Sequence, residues 1–189
     1  MTESSQAKSA TDISQDEKNP FRFPLAASKP DRYDGGDLRG ANEKTFPILA
    51  GQDAAVYLVH LQVGGIREPH WHPKAWETNY VISGRAKWVV LDSHPDGRYH
   101  PHRFEVGEGD LVFIPRGYFH YFENASECEP LTVLINFNTS TPEANDDIGI
   151  VASVSSLPND VLETVFKVPA GTFDNIPKNI KPVVITRRK

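Results

Sequence analysis

Short runs rich in β-forming residues, each closed by Gly, Pro or Asn, follow one another from residue 54 to residue 137, and this punctuation most limits the fold. "AAVYLVHLQV" (54–63) comes first, with Tyr57, Val59, Leu61 and Val63 on one face by two-residue alternation. "TNYVI" (78–82) and "AKWVVLD" (86–92) are split by Ser83-Gly84, a tight-turn signal. "SHPDGRYHPH" (93–102) carries Asp96-Gly97, a favoured hairpin turn. "RFEV" (103–106), "DLVFI" (110–114), "FHYF" (119–122) and "LTVLINF" (131–137) complete the series. Strands this short, at this spacing and without an internal repeat, predict one all-β sandwich or barrel.

The flanks read differently. Residues 1–19 are polar and poor in hydrophobes, which predicts a disordered tail. Residues 20–52 alternate aromatics with Pro and Gly, as in an extended arm laid over the barrel or a partner. The barrel is expected over 53–140, and 141–189 should hold a loop and short C-terminal helices. In "LPNDVLETVFKV" the apolar residues Val161, Leu162, Val165 and Phe166 recur at helical spacing, and "AGTFDNIP" (170–177) reads as one more helical turn. The apolar stripe needs cover from the barrel wall or a second subunit, so the chain is expected to form a homodimer or a higher homo-oligomer.

Composition excludes several roles. Of 189 residues, 39 % are hydrophobic and 24 % charged, as in a soluble globule. The net charge is −5 and Lys and Arg are scattered, so no basic field favours nucleic acid or an anionic membrane. Cys128 is the single cysteine, so no intrachain disulfide can form. No secretory signal and no apolar run of membrane-spanning length is read, and a cytoplasmic location is expected.

The chemistry concentrates in "GGIREPHWHPKAWETNYVISG" (64–84). Positions i and i+2 of a strand share a face, so His70 and His72 point together and Trp71 points away. Glu77 follows a bend at Pro73 and can reach the same point, and His120 lies near a later strand. Three histidines and a carboxylate are N/O donors suited to a first-row divalent ion: manganese, iron, copper, nickel or zinc. Four protein ligands leave two positions of an octahedral ion open, as substrate activation requires. A His-X-His pair alone is also satisfied by ordinary hydrogen bonds. A second pair, His100 and His102, flanks the hairpin without a carboxylate frame and reads as surface.

The frame around these residues carries a resemblance. Gly64, His70, His72, Glu77 and Gly84 match the first motif of the cupins, and Gly109, Pro115, Gly117, His120 and Asn124 match the second. The chain is thus similar to the cupin superfamily, which implies a double-stranded β-helix, or jelly-roll barrel, holding a metal on His70, His72, Glu77 and His120. "REPHWHPKAWE" and "GDLVFIPRGYFHYFEN" resemble oxalate decarboxylases, and residues ~20–178 share that likeness. Those proteins mostly carry two barrels, bind manganese and split oxalate to formate and carbon dioxide. This chain has one barrel, and four residues between His72 and Glu77, as in germins, where the decarboxylases commonly have three. Germin-like and spherulin-like proteins are the single-barrel relatives.

The resemblance implies a small carboxylate substrate and either decarboxylation or oxidation, with Arg67 polarising the substrate and Glu143 as the nearest candidate for a lid acid. Glu143 sits in "NTSTPEANDDIGI", which has no Ser-Glu-Asn run. A non-catalytic metal- or ligand-binding role, or an oxygenase or isomerase on the same scaffold, stays open. Arg67 raises a geometric question. Strict alternation puts Glu68, not Arg67, on the face of His70 and His72, unless Pro69 introduces a bulge that resets the register.

Overall fold

A computed structural model describes residues 19–178 and 182–189. The disordered tail expected at 1–19 lies almost wholly outside the described residues. The strands are β1 (Asp31–Tyr33), β2 (Gly36–Ala41), β3 (Ala55–Leu61), β4 (Gly65–Trp71), β5 (Glu77–Ser83), β6 (Arg85–Ser93), β7 (Tyr99–Gly107), β8 (Leu111–Ile114), β9 (Phe119–Asn124), β10 (Leu131–Phe137), β11 (Ile148–Gly149) and β12 (Ile185–Arg187). Two helices, α1 (Ile150–Ser155) and α2 (Asn159–Phe166), lie between β11 and β12.

The strands form two antiparallel sheets, ordered β1-β2-β3-β10-β5-β8 and β11-β4-β9-β6-β7. In the second sheet β4 pairs with β9 on one edge, while β12 and β11 share its other edge. The inner faces meet in one core, in which Val59, Leu61, Val81, Trp88, Phe122, Leu131 and Val133 are fully buried. Trp88 stacks on Phe122, ring centroids 4.4 Å apart. Outer positions of β10 alternate with the buried Leu131, Val133, Ile135 and Phe137, the period-two pattern the sequence carries. This is the all-β architecture the spacing predicted, in the jelly-roll form the resemblance implied.

Differences cluster at the edges. The stretch read as an arm supplies β1 and β2, and β2 pairs with β3 along its whole length, Gly36 against Leu61 to Ala41 against Val56. Glycines at 35, 36 and 40 hid this strand from propensity reading. The second hairpin is longer than "RFEV", because β7 begins at Tyr99 and carries His100 and His102. Residues 170–177 are a chain of tight turns, with Thr172, Asp174 and Ile176 N–H bonded to Pro169, Gly171 and Phe173 carbonyls, and not a helical turn. Pro169 and Gly171 break the continuous ladder a helix needs. Helix α2 forms as its periodicity predicts, but only Leu162 is buried; Val161, Val165 and Phe166 face outward. No helix among the described residues is long and apolar enough to cross a membrane.

Gly84 turns β5 into β6 at φ +87°, and a Cβ there would sit 2.6 Å from the Pro130 carbonyl oxygen. Gly109 has nearly the same φ, +88°, with nothing within 4 Å of its missing Cβ. Gly109→Ala is therefore expected to cost only the left-handed backbone penalty, about 1–2 kcal/mol, and Gly84→Ala clearly more. Equal midpoint shifts of the two variants in urea denaturation would refute this steric account.

Candidate metal centre

The site is built on β4, β5 and β9. His70 lies opposite His120 across the β4–β9 ladder. His72 follows immediately after β4, and its carbonyl accepts from Gly117 N–H at 2.9 Å, which pins the end of that strand against the turn before β9. Glu77 opens β5. The structure brings His70, His72, Glu77 and His120 together in the barrel interior, all four buried, with one donor atom from each within 4.8 Å of the others.

Each imidazole is oriented from behind. Nδ1 of His70 donates to the Glu68 carbonyl, Nδ1 of His72 to the Asp146 carbonyl at 3.2 Å, and Nδ1 of His120 to the Tyr118 carbonyl at 2.9 Å. That leaves three Nε2 lone pairs facing one another. His70 Nε2 stands 3.1 Å from His72 Nε2, and His120 Nε2 stands 2.9 Å from Glu77 Oε1. His120 Nε2 is fully buried without a satisfactory hydrogen-bond partner. Lone pairs and a carboxylate converging in a dry interior repel unless a cation lies between them, so the donor set fits a divalent ion.

The electrostatics agree. Burial, reinforced by Arg67 and the other two imidazoles, holds His70 well below the usual imidazole range, and burial also lowers His72. Burial alone would raise the Glu77 carboxyl. His120, His72 and the Asn79 amide, which donates to Oε1 at 3.0 Å, instead hold it at about 2. The His70 and His72 imidazoles are thus pushed toward the neutral form and the Glu77 carboxyl toward the ionised form, the states in which such groups ligate metals.

Arg67 faces the interior too. Its partner on β9 is Phe122, while His70 pairs with His120, so three steps along β4 match two along β9. The extra residue is a bulge at Glu68-Pro69, where Pro69 has no N–H for the ladder. Glu68 turns the other way and is buried as well. Its carboxylate accepts the Val151 and Val184 N–H groups, each at 3.0 Å, and ties the C-terminal segment to α1. The buried Arg67 guanidinium donates to Glu143, to Asp147 at 2.6 Å and to the Val184 carbonyl at 3.2 Å. These two carboxylates outweigh the cost of burial and raise its already high pKa.

Glu143 opens a short 3-10 turn, and its N–H donates to the Tyr57 hydroxyl at 2.6 Å. Burial and the neighbouring Asp147 charge raise the Glu143 carboxyl to about 7, against the pull of Arg67. Asp146 and Asp147 were not singled out from the sequence, and neither were the partners of Glu68 and Tyr57, since each acts across more than 70 residues of chain. His60 lies apart on β3 beside Asp37 and Arg39, and Cys128 is exposed.

With fold and site described, the likeness to known proteins is specific. The cupin family model matches residues 25–172, and the chain belongs to that family. It is 30 % identical over 165 residues to an oxalate decarboxylase of Bacillus subtilis (strain 168), covering 87 % of this chain and 40 % of the relative. It is 32 % identical to germin-like protein subfamily T member 3 of Arabidopsis thaliana, over 80 % of this chain and 63 % of that one. Spherulin-1A of Physarum polycephalum is 30 % identical over 76 % of this chain and 56 % of its own length. The structure of the B. subtilis oxalate decarboxylase at pH 4.6 superposes with a TM-score of 0.75 at 26 % identity, over 88 % of this chain and 41 % of that one. The chain thus spans less than half of the decarboxylases it matches.

Glu143 gives a signed pH expectation. Its folded pKa lies above the ordinary carboxyl value, so the native state holds a proton that the unfolded state has released. Stability should fall as pH rises from about 4.5 to about 7. Glu143→Gln should flatten that slope, read as denaturation midpoints between pH 5 and 8. An unchanged slope would remove Glu143 as its source.

Proposed function

We propose that the protein is a metal-dependent cupin enzyme acting on a small carboxylate, with oxalate decarboxylation or oxidation as the leading chemistry. The observation that carries the reading is the juxtaposition of an ion-sized His/Glu cluster with a buried arginine that already binds carboxylates. His70, His72, Glu77 and His120 are the proposed ligands. Manganese is the first choice of metal because a solved relative, the B. subtilis oxalate decarboxylase, has Mn(II) centres. Such an ion supplies open positions for a carboxylate oxygen and a route for single-electron chemistry.

The remaining roles fall to the chain itself. Arg67 offers a planar, permanently charged fork that binds a substrate carboxylate and stabilises charge as it develops. Glu143, carrying a proton near neutral pH, can deliver it to the carbon that loses carbon dioxide. Oxalate monoanion then yields one carbon dioxide and one formate. Without that delivery, dioxygen takes the two electrons, and the products are two carbon dioxide and hydrogen peroxide. A second reading, a non-catalytic ligand-binding cupin, is favoured by one observation: Arg67 is already occupied by Glu143 and Asp147.

Metal analysis of the purified chain, followed by assays for formate, peroxide and oxygen uptake with oxalate, separates these outcomes. Formate that disappears in Glu143→Gln supports the decarboxylase, and peroxide supports the oxidase. A metal-loaded chain giving neither product removes the oxalate assignment. His70→Ala and His120→Ala should each lose stoichiometric metal; retention in both would overturn the ligand set.

The assembly is a proposal of the same kind. Phe113 (55 % exposed) and Leu111 on edge strand β8 lie beside Tyr80 on β5, and Val165 and Phe166 of α2 are likewise uncovered. A homodimer or higher homo-oligomer would cover such faces, and sedimentation should show at least a dimer. A monomer at micromolar concentration would count against it.

A further inference from the structure

Two spaces meet at a partition beside the proposed metal centre. The inner one, beside His70 and Glu77, measures about 10 Å³, enough for one water-sized group and not for a whole substrate. The outer one, about 420 Å³, lies between β1–β2, the segment before β11, and α1, in the ~300–1,000 Å³ range of organic-ligand pockets. Leu38, Tyr57 and Glu143 line both spaces, so these side chains form the partition. Arg67 reaches that partition from the metal side, and Asp147, its second carboxylate partner, lines the outer space.

The outer space is much larger than oxalate, which has six heavy atoms and no apolar surface. It would take roughly 14 waters at ~30 Å³ each, against a lining in which the apolar surface of residues such as Leu38, Ile148, Ala152 and Val184 outweighs that of polar groups such as Lys29 and Asp31. Apolar lining of that extent favours an apolar occupant.

We propose that the substrate is a carboxylate bearing an apolar body of phenyl size or larger. Its carboxylate displaces Asp147 from Arg67 at the partition, and its body fills the 420 Å³ cavity. The exchange is close to isosteric, one carboxylate for another on the same guanidinium, so Arg67 keeps two carboxylate partners. This inference rests on the carboxylate-site reading above and replaces its smallest substrate with a larger one.

Calorimetric titration of the manganese-loaded full chain with acetate, phenylacetate and oxalate tests it. Phenylacetate is expected to bind at least tenfold more tightly than acetate. Ala152 and Ala144 are exposed residues that also line the cavity, so Ala152→Trp or Ala144→Trp can fill it without disturbing the core. Either variant, shown folded by circular dichroism, should cut the phenylacetate-to-acetate ratio to below threefold. Equal affinities for the two acids, binding of oxalate alone, or a ratio unmoved by both tryptophans overturns the cavity assignment and leaves the carboxylate site standing. Failure of all three acids to bind the metal-loaded chain removes both.

Discussion

The site depends on one irregularity, the bulge at Glu68-Pro69. A regular β4 would place Glu68 inside with His70 and turn Arg67 outward, since side chains alternate strictly along a strand. The interior would then hold an acidic side chain where the guanidinium now lies, beside a donor set that already contains Glu77. One unpaired residue reverses this: Arg67 stands over Phe122 and His70 over His120 on the same face. The displaced Glu68 is not left idle, because its N–H and both carboxylate oxygens fasten the Val184 and Val151 backbone to the outer edge of β4. The same segment then supplies the Val184 carbonyl to Arg67. The bulge thus creates the inner site and anchors the chain that closes over it.

Around that arrangement, charge is balanced in two compartments. In the His/Glu cluster, burial pushes His70 and His72 toward the neutral form, and neighbouring groups hold Glu77 ionised. Arg67 faces two carboxylates that compete for one guanidinium, and their repulsion, added to burial, leaves Glu143 with a raised affinity for a proton. A carboxyl kept near neutrality beside a permanent cation is suited to proton delivery. It arises here from burial first, and then from the neighbouring Asp147 and Glu77 charges.

What the sequence disclosed and what it hid follow the same division. His120 joined the candidate ligand set only through the likeness to the two cupin motifs, while the rest of the set was legible locally, His70 and His72 by strand alternation and Glu77 by the Pro73 bend. The barrel strands were legible for the same reason. Strand β2 was not, because its glycines suppress β-propensity and it exists through pairing with β3. Helix α1 was not, because its six residues, "IVASVS", read equally well as strand or loop. Asp146 and Asp147 looked like ordinary loop acids. Only tertiary folding turns the Asp146 carboxylate onto the Lys74 and Ala75 amides and Asp147 onto Arg67.

That division bears on how reaction identity is encoded. Three ligands extend from the ends and interiors of paired strands, whose positions the ladder hydrogen bonds and the core hold together. The two carboxylates that pair with Arg67, Glu143 and Asp147, sit on the connection from β10 to β11. There they are held by a Tyr57 hydroxyl, an ion pair and a few turns. Substitutions in that connection can move a proton donor or open the outer cavity without straining the barrel, because connecting loops tolerate change that packed strands do not. A metal-ready cluster on such a frame fixes what can be bound at the centre. On the reading proposed above, the chemistry that follows would be set by which carboxylate, the chain's own or a substrate's, occupies Arg67.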